Sequence, residues 1–446
     1  MVQLLAPCFL RWLDLLPPQR ASIPGIPESP SPSLQVPSAS IQIYWTKNCP
    51  FFLLVFQATN MALLTLSRII IPPFILVGIY CLHIFGEANG TFPLIVTHQE
   101  KRQLPTTAAT VVRPTFAESF TGFDPPDGLL SILVVFFWPL VNGENPGASL
   151  LSFLFAGQVV AHLAVVTLEA SRKANIGRVI SFTSIYGVLF QTIGAGIIVP
   201  LYLTIYLFTS PLVTLGTALT PSALAVDEGI LSGLPFGVLL GYIIPSIAMS
   251  LPEPTLISQT AKVLAIVVWQ LFPVWANLFT FLSKALVGPE TRYPSGPEAL
   301  KNQLPRLKTV YKLAMAVSVP THIATWTLSL STVLFPVLFT PSTVEAFHPL
   351  NVIVPPNPFG NGKISSVAQG AVWFLQYDYL ITSFVYVVWG VVCRYGKLGG
   401  FGFASLLDVI GRCAIMGPIA TALHLLQDRD EIVFAASETL TTKKDA

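Results

Sequence analysis

The sequence predicts an all-α, polytopic membrane protein, a bundle of about eight or nine transmembrane helices. Of its 446 residues, 53% are hydrophobic and only 10% are charged, whereas a soluble domain carries roughly 25% charged residues. It also contains 30 Phe, 8 Trp and 12 Tyr residues. Apolar runs of about 20 residues, the length that crosses a bilayer, recur along most of the chain. These three observations together define the fold class.

The same composition excludes several classes of protein. Because 24 Lys and Arg residues stand against 22 Asp and Glu residues, the formal net charge is only +2, without the basic excess of a nucleic-acid-binding protein. Five cysteines occur without CxxC spacing, and the six histidines form no HxxxH or HxxH pair. We therefore expect no nucleic-acid partner, no disulfide framework and no metal site.

The first 60 residues differ from the rest of the chain. They are rich in Pro and Ser, notably at 29–40, and such a composition cannot bury a core. We predict that residues 1–60 are a disordered leader, or an extension of the gene model ahead of Met61. A transmembrane helical domain is expected at 61–430, followed by a polar C-terminal tail at 431–446.

Apolar runs predict the spans in chain order. They lie at 61–85, 128–142, 148–168, 179–208, 229–250, 262–287, 310–338, 368–393 and 403–426. The run at 128–142 is short and contains Pro139, which suggests a half-span or a tilted one. Residues 208–228 are rich in Pro, Thr and Gly and predict a re-entrant or surface loop. No fixed-period repeat occurs, which disfavours an inverted-repeat transporter.

Ionisable residues within the spans are costly and are therefore candidates for function. Glu144 lies in a connection between two spans that is bent by Gly and Pro, and from there it can project into the mouth of the bundle. The alternative, to which we give equal weight, is that this connection is an ordinary turn in solvent. Gln158, His162 and Glu169 share one helical face, because separations of four and eleven residues return near the same angle. This stripe predicts a lined cavity, with an ion pair between Glu169 and Arg172 or Lys173 as the alternative for Glu169.

Two further acidic positions lie in the last two spans. Asp378 has no Lys or Arg within one turn. Burial disfavours the charged form of a carboxyl group, so Asp378 is predicted to be a neutral acid that can donate a proton near pH 7. The alternative is an interfacial Asp in an aromatic belt. Asp408 and Arg412, spaced i, i+4, predict a structural ion pair.

Isolated acids in an aromatic-rich membrane bundle fit proton-initiated chemistry on a lipophilic substrate. The spans carry no DDxxD or NxxxDxxxD cluster, and the chain has no DxDD motif, HxxxxD motif or Gly-rich phosphate loop. We therefore expect no cofactor. Asp378 is assigned as the acid, with Glu144 or Glu169 and His162 as base or orienting group. The expected substrate-binding residues, whose rings can stabilise a carbocation, are Trp138, Trp373, Tyr377 and Tyr379, together with Gln158.

Three stretches carry a resemblance to a known family. They are FWPLVNG at 137–143, LEASRKAN at 168–175 and VPLY at 199–202, and they resemble the fungal membrane-bound terpene cyclases of meroterpenoid pathways, which include the ascofuranone and macrophorin cyclases. The resemblance covers about 61–430 and implies cyclisation of a farnesyl-type chain on an aromatic or quinone-like core. It also implies residence in the endoplasmic reticulum membrane, a role in secondary metabolism, and membrane lipids and other pathway enzymes as neighbours. The alternative is a multi-pass transporter of a hydrophobic metabolite.

Overall fold

The structure, a computed structural model, describes residues 62–106, 114–117, 119–214, 216–287, 293–294 and 296–442. The predicted leader at 1–60 lies outside these residues. The described part of the chain is helical, and no strand occurs in it beyond two isolated bridges. The predicted all-α class is therefore confirmed.

Thirteen of the described helices form the framework. They are α1 (Ala62–Ala88), α2 (Thr91–Glu100), α3 (Asp124–Val141), α4 (Pro146–Ala170), α5 (Thr183–Ile193), α6 (Ala195–Thr209), α7 (Glu228–Ser250), α8 (Gln259–Trp269), α9 (Phe272–Val287), α10 (Pro297–Leu334), α11 (Val367–Tyr395), α12 (Phe403–Met416) and α13 (Pro418–Thr442). Shorter helices occupy Pro221–Leu224, Pro341–Phe347 and Pro349–Ile353.

Local sequence signals account for several helix starts. The Ser366 side chain accepts a hydrogen bond from the Gln369 backbone N–H at the start of α11, and Ser258 caps α8 in the same way. Asp227 accepts from two backbone N–H groups at the start of α7. Each cap satisfies amide groups that have no partner within their own helix.

Fewer helices could cross a membrane than the apolar runs predict. Among the described residues, six helices are long and apolar enough, namely α1, α3, α4, α7, α10 and α11. A seventh span is obtained if α8 and α9, which meet at 71°, form one span. Large apolar side chains such as Leu76 and Ile69 point outward from α1, at 70% and 64% exposure. This suits contact with lipid. The predicted number of eight or nine spans is not confirmed.

Two glycines explain part of the difference in span number. The apolar runs 179–208 and 403–426 are each predicted as one span, but each contains two helices that separate at Gly194 and Gly417. Both glycines have positive φ, +114° and +88°, a region that other residues rarely occupy. A hydropathy average cannot detect such a break, because glycine leaves the run apolar.

Helix α11 lies inside the bundle and makes contacts with α3, α4, α6 and α13. Two helices of the bundle contain a π-helical turn, at Ile79–Ile84 in α1 and at Leu239–Ile243 in α7. Such turns often occur at functional sites because they redirect side chains. Here they bring His83 and Tyr242 to a cavity beside α11.

Candidate active site

Asp378 lies on the buried face of α11, with 5% of its surface exposed. Its Oδ1 accepts a hydrogen bond from the Gly196 backbone N–H at 2.5 Å, at the start of α6 just after the break at Gly194. A Cβ atom at either glycine would lie 3.2–3.3 Å from this oxygen. The absence of side chains at 194 and 196 therefore allows the backbone to approach the carboxyl group closely.

A cavity of about 150 Å³ opens in front of Asp378. Its wall is mainly aliphatic and aromatic. The aromatic side chains are Phe92, Phe136, Phe137, Phe155, Phe190, Tyr242, Trp269, Phe272 and Phe374. Asp378 is the one carboxyl group among the described residues that line it. An acid thus faces an apolar chamber.

The aromatic rings form a nearly continuous surface. Phe374 meets Phe136 edge-on at a centroid distance of 5.2 Å, and Phe137 meets Trp269 at 5.1 Å. Trp269 in turn contacts Phe272 at 5.1 Å. Ring faces attract cations through their quadrupole, so a positive charge that forms in this cavity would meet π-electron density over much of its wall.

Few polar groups interrupt this surface, and most have partners. Tyr242 donates its hydroxyl to the Ala156 carbonyl at 2.8 Å, and Gln191 donates to the Gln270 side chain at 2.8 Å. A nitrogen of His83, Nε2, lies 2.8 Å from the Ile193 carbonyl oxygen. The polar groups are therefore held in place by the surrounding helices.

Glu169 is fully buried, but away from this cavity, in a cluster of four charged side chains. Its carboxylate contacts Arg429 at 2.7 Å and Arg172 at 3.1 Å, and Asp430 pairs with the same two arginines at 2.8 and 2.6 Å. The ion pair with Arg172 that the sequence allows as an alternative is present. Burial alone would lower the pKa of Arg172, but the Asp430 and Glu169 carboxylates raise it above its ordinary value.

Two tyrosines complete the charged cluster. Tyr206 donates its hydroxyl to Glu169 at 2.5 Å, and Tyr311 donates to Asp430 at 2.8 Å. The cluster thereby connects α4, α6, α10 and α13. Since two arginines face two carboxylates, it is neutral as a whole, which is the condition under which buried charges are tolerated.

The other residues of the predicted polar stripe occupy separate places. His162 Nδ1 lies 2.6 Å from the Tyr386 hydroxyl, and His162 lines a smaller neighbouring cavity that shares Phe190 and Phe272 with the first. Gln158 is fully buried; it donates to the Ser318 carbonyl at 2.9 Å and accepts from Ala420 N at 3.2 Å. The stripe therefore contacts protein along most of its length.

Glu144 is exposed in the turn between α3 and α4, where it accepts a hydrogen bond from Thr106 at 2.7 Å. It borders an open, polar groove that Trp373 and Gln376 also line. The structure does not bring Glu144 to the cavity of Asp378. The predicted Asp408–Arg412 ion pair is present at 3.0 Å.

The four predicted aromatic residues lie outside the lining of the Asp378 cavity. Trp373 stacks on Phe85, and Tyr377 donates its hydroxyl to the Pro356 carbonyl. Tyr379 meets Phe155 edge-on at 5.7 Å, and Trp138 lies below the ammonium group of Lys262, 6.0 Å from its ring. For Trp373, Tyr377 and Tyr379, closeness in sequence to Asp378 did not predict a shared face, because successive residues on a helix diverge by about 100°. Trp138 lies on a different helix, α3.

One aromatic residue of the cavity had a signal in the sequence. Phe374 precedes Asp378 by four residues, so both lie on one face of α11. His83 had no comparable signal, because its position depends on the π-turn and on contacts between distant helices. The same holds for Phe136, Phe190 and Trp269, which reach the cavity from three different helices.

Comparison with known proteins assigns the chain to a family. The model of the CtvD domain family matches residues 67–434. Terpene cyclase ascI of Acremonium egyptiacum is 33% identical over 381 residues, covering 82% of this chain and 92% of the relative. Terpene cyclase ctvD of Aspergillus terreus is 27% identical, with 79% and 96% coverage, and terpene cyclase penA of Penicillium crustosum is 26% identical, with 81% and 95%.

No solved structure matches the chain. The three relatives are fungal, and the resemblance to the fungal meroterpenoid cyclases of the ascofuranone type is confirmed. The match to the family model extends over most of the described helices, including those that hold Asp378 and its cavity. The chain belongs to the CtvD domain family of terpene cyclases.

Proposed function

We propose that this protein is a cofactor-independent terpene cyclase, of isomerase or lyase type, that acts on a prenylated, farnesyl-type aromatic compound or its epoxide. The observation that carries the proposal is the placement of Asp378, a buried carboxyl group that faces an aromatic cavity. Family membership supports a lipophilic, prenylated substrate. The comparisons give no support to the alternative function, a transporter of a hydrophobic metabolite.

Asp378 is the proposed proton donor. Because the Gly196 N–H donates to Oδ1, we assign the proton of the neutral acid to Oδ2. Transfer of this proton to an epoxide oxygen forms an O–H bond and breaks a C–O bond; transfer to an olefin forms a C–H bond from the π electrons. Either step leaves a carbocation on the substrate and a carboxylate on Asp378.

The aromatic wall then directs the course of the cation. The rings of Phe374, Phe136 and Trp269 stabilise positive charge, and the apolar lining keeps water from capturing it. Successive attack by double bonds closes the rings. Loss of a proton to a base forms the final double bond, so the product is an isomer of the substrate.

The base and orienting groups predicted from the sequence, Glu144, Glu169 and His162, stay predictions. Of these three, His162 lines a small cavity that shares Phe190 with the cavity of Asp378. We also propose the endoplasmic reticulum membrane as the location. The substrate would enter from the bilayer, and membrane lipids and other enzymes of the pathway would be neighbours of the protein.

The proposal is tested with microsomes that contain the protein and a farnesylated phenol or its terminal epoxide. Wild-type protein should form a cyclic isomer of unchanged mass, detected by mass spectrometry. Asp378→Asn keeps the shape of the side chain and can still accept from Gly196, but it cannot donate an acidic proton, so turnover should fall by about 10²–10⁴-fold.

Asp408→Asn provides the matched control, because Asp408 belongs to a partly exposed ion pair on α12. This variant should retain wild-type turnover. Full turnover in Asp378→Asn would exclude Asp378 as the acid. Uptake of the compound into vesicles, without formation of an isomer, would point to the transporter.

A further inference from the structure

We propose that His83 is the base that removes the final proton from the carbocation, an inference that rests on the proposed cyclase function. His83 lies in the π-turn of α1, on the wall of the cavity that Asp378 faces. Its ring stacks against Phe92, with the ring centroids 5.6 Å apart, and meets Phe374 edge-on at a centroid distance of 6.3 Å. The imidazole is thus part of the aromatic surface along which the cation would travel.

The hydrogen bond of His83 defines which nitrogen is basic. Nε2 lies 2.8 Å from the Ile193 carbonyl oxygen. A carbonyl oxygen only accepts, so Nε2 carries the hydrogen and donates it. In the neutral ring the lone pair then resides on Nδ1. His83 therefore holds one nitrogen in a structural contact and keeps the other as a proton acceptor.

The Ile193 carbonyl oxygen can accept this hydrogen bond because α5 ends at this residue. Ile193 is the last residue of α5, and the positive φ of Gly194 stops the helix. The final carbonyl groups of a helix lack partners within it. The same break in the helix positions the Gly196 N–H to donate a hydrogen bond to the Asp378 carboxyl group. One interruption of the backbone therefore orients both His83 and Asp378.

No other described group on this wall is suited to the role. Apart from Asp378, the titratable side chains that line the cavity are His83 and Tyr242. Tyr242 already donates to the Ala156 carbonyl, and a neutral phenol is a poor base. Asp378 acts where the reaction starts, whereas the final proton leaves from a carbon next to the last cationic centre, which ring closure has moved along the substrate.

The step balances without a further reactant. Nδ1 takes a proton from a carbon next to the cationic centre, and the electrons of that C–H bond form the new double bond. His83 becomes an imidazolium while Asp378 is a carboxylate. Return of one proton from His83 to Asp378, directly or through water after product release, restores both groups.

The test uses His83→Phe, which keeps an aromatic ring beside Phe92 but has no basic nitrogen. With the farnesylated substrates in microsomes, the variant should still consume substrate, because Asp378 is intact. The yield of the wild-type isomer should fall by about 100-fold or more, replaced by a product one water heavier or by an alkene with a different double-bond position. His83→Gln, which can still donate to Ile193, should give the same change and carries the test if the Phe variant does not fold.

His322→Phe is the matched control. His322 is a buried histidine that also contacts a backbone carbonyl through Nε2, that of Ala414 at 3.1 Å, but it does not line the cavity. The His322→Phe variant should give the same products as the wild-type protein. Wild-type product at wild-type yield from both His83 variants would overturn the assignment of His83. If wild-type protein itself forms no isomer, the proposed cyclase function fails instead.

Discussion

Replacing Glu169 by Gln tests what the buried charge cluster contributes. In the wild-type protein Arg172 and Arg429 are balanced by Glu169 and Asp430, all with side-chain exposures of 0–1%. Glu169→Gln preserves the size of the side chain but leaves the cluster with a net charge of +1. Two arginines then share the single carboxylate of Asp430.

The expected cost follows from this imbalance. Removal of one partner from a buried ion pair destabilises a protein by about 3–5 kcal/mol, because the remaining charge stays out of water. Glu169 contacts both arginines and accepts from Tyr206, so we expect the upper part of this range. Glu169→Gln combined with Arg429→Gln restores neutrality, so the double variant should lose less than the sum of the two single variants.

The assay is equilibrium unfolding of the purified protein in mixed micelles with a rising fraction of denaturing detergent. Turnover per folded molecule is measured in parallel with the farnesylated substrate. We expect a lower free energy of unfolding and near wild-type turnover of the folded fraction. An unchanged free energy of unfolding together with lost turnover would refute this reasoning and would favour the catalytic role that the sequence suggested for Glu169.

Two further predictions concern the chain outside the site. Gly417→Ala should lower the Tm, at a cost of about 1–3 kcal/mol. The φ of Gly417 is +88°, and the new methyl group would lie 2.5 Å from the Gln158 side chain. Gly411→Ala, which has open space around its Cβ position, should leave the Tm unchanged. Burial lowers the pKa of Lys397 to about 8 from 10.5. Between about pH 8 and pH 10.5 the unfolded chain therefore binds more protons than the folded protein, and the stability of the fold should rise with pH. Comparing Tm across that window in wild type and Lys397→Met checks this, since the variant should lack this rise.

Helical periodicity predicted the candidate site only in part. Asp378 was singled out by its place in a long apolar run without a nearby Lys or Arg, and it is buried in the structure. Periodicity grouped Gln158 with Glu169 on one face, but it could not show that α10 and α13 would cover that face. Arg429, a partner of Glu169, lies 260 residues further along the chain.

The sequence by itself determined the membrane environment and the helical class, because hydrophobic composition and apolar run length depend on the bilayer and not on the arrangement of the helices. The family followed from the resemblance of three short stretches. The sequence also singled out Asp378. Only the tertiary structure decided which residues surround that acid. The aromatic wall is assembled from side chains on separate helices, and its polar contacts depend on a π-turn at His83 and a glycine break at Gly194. Such irregularities are selected by contacts between distant helices, which leave no periodic pattern along the chain.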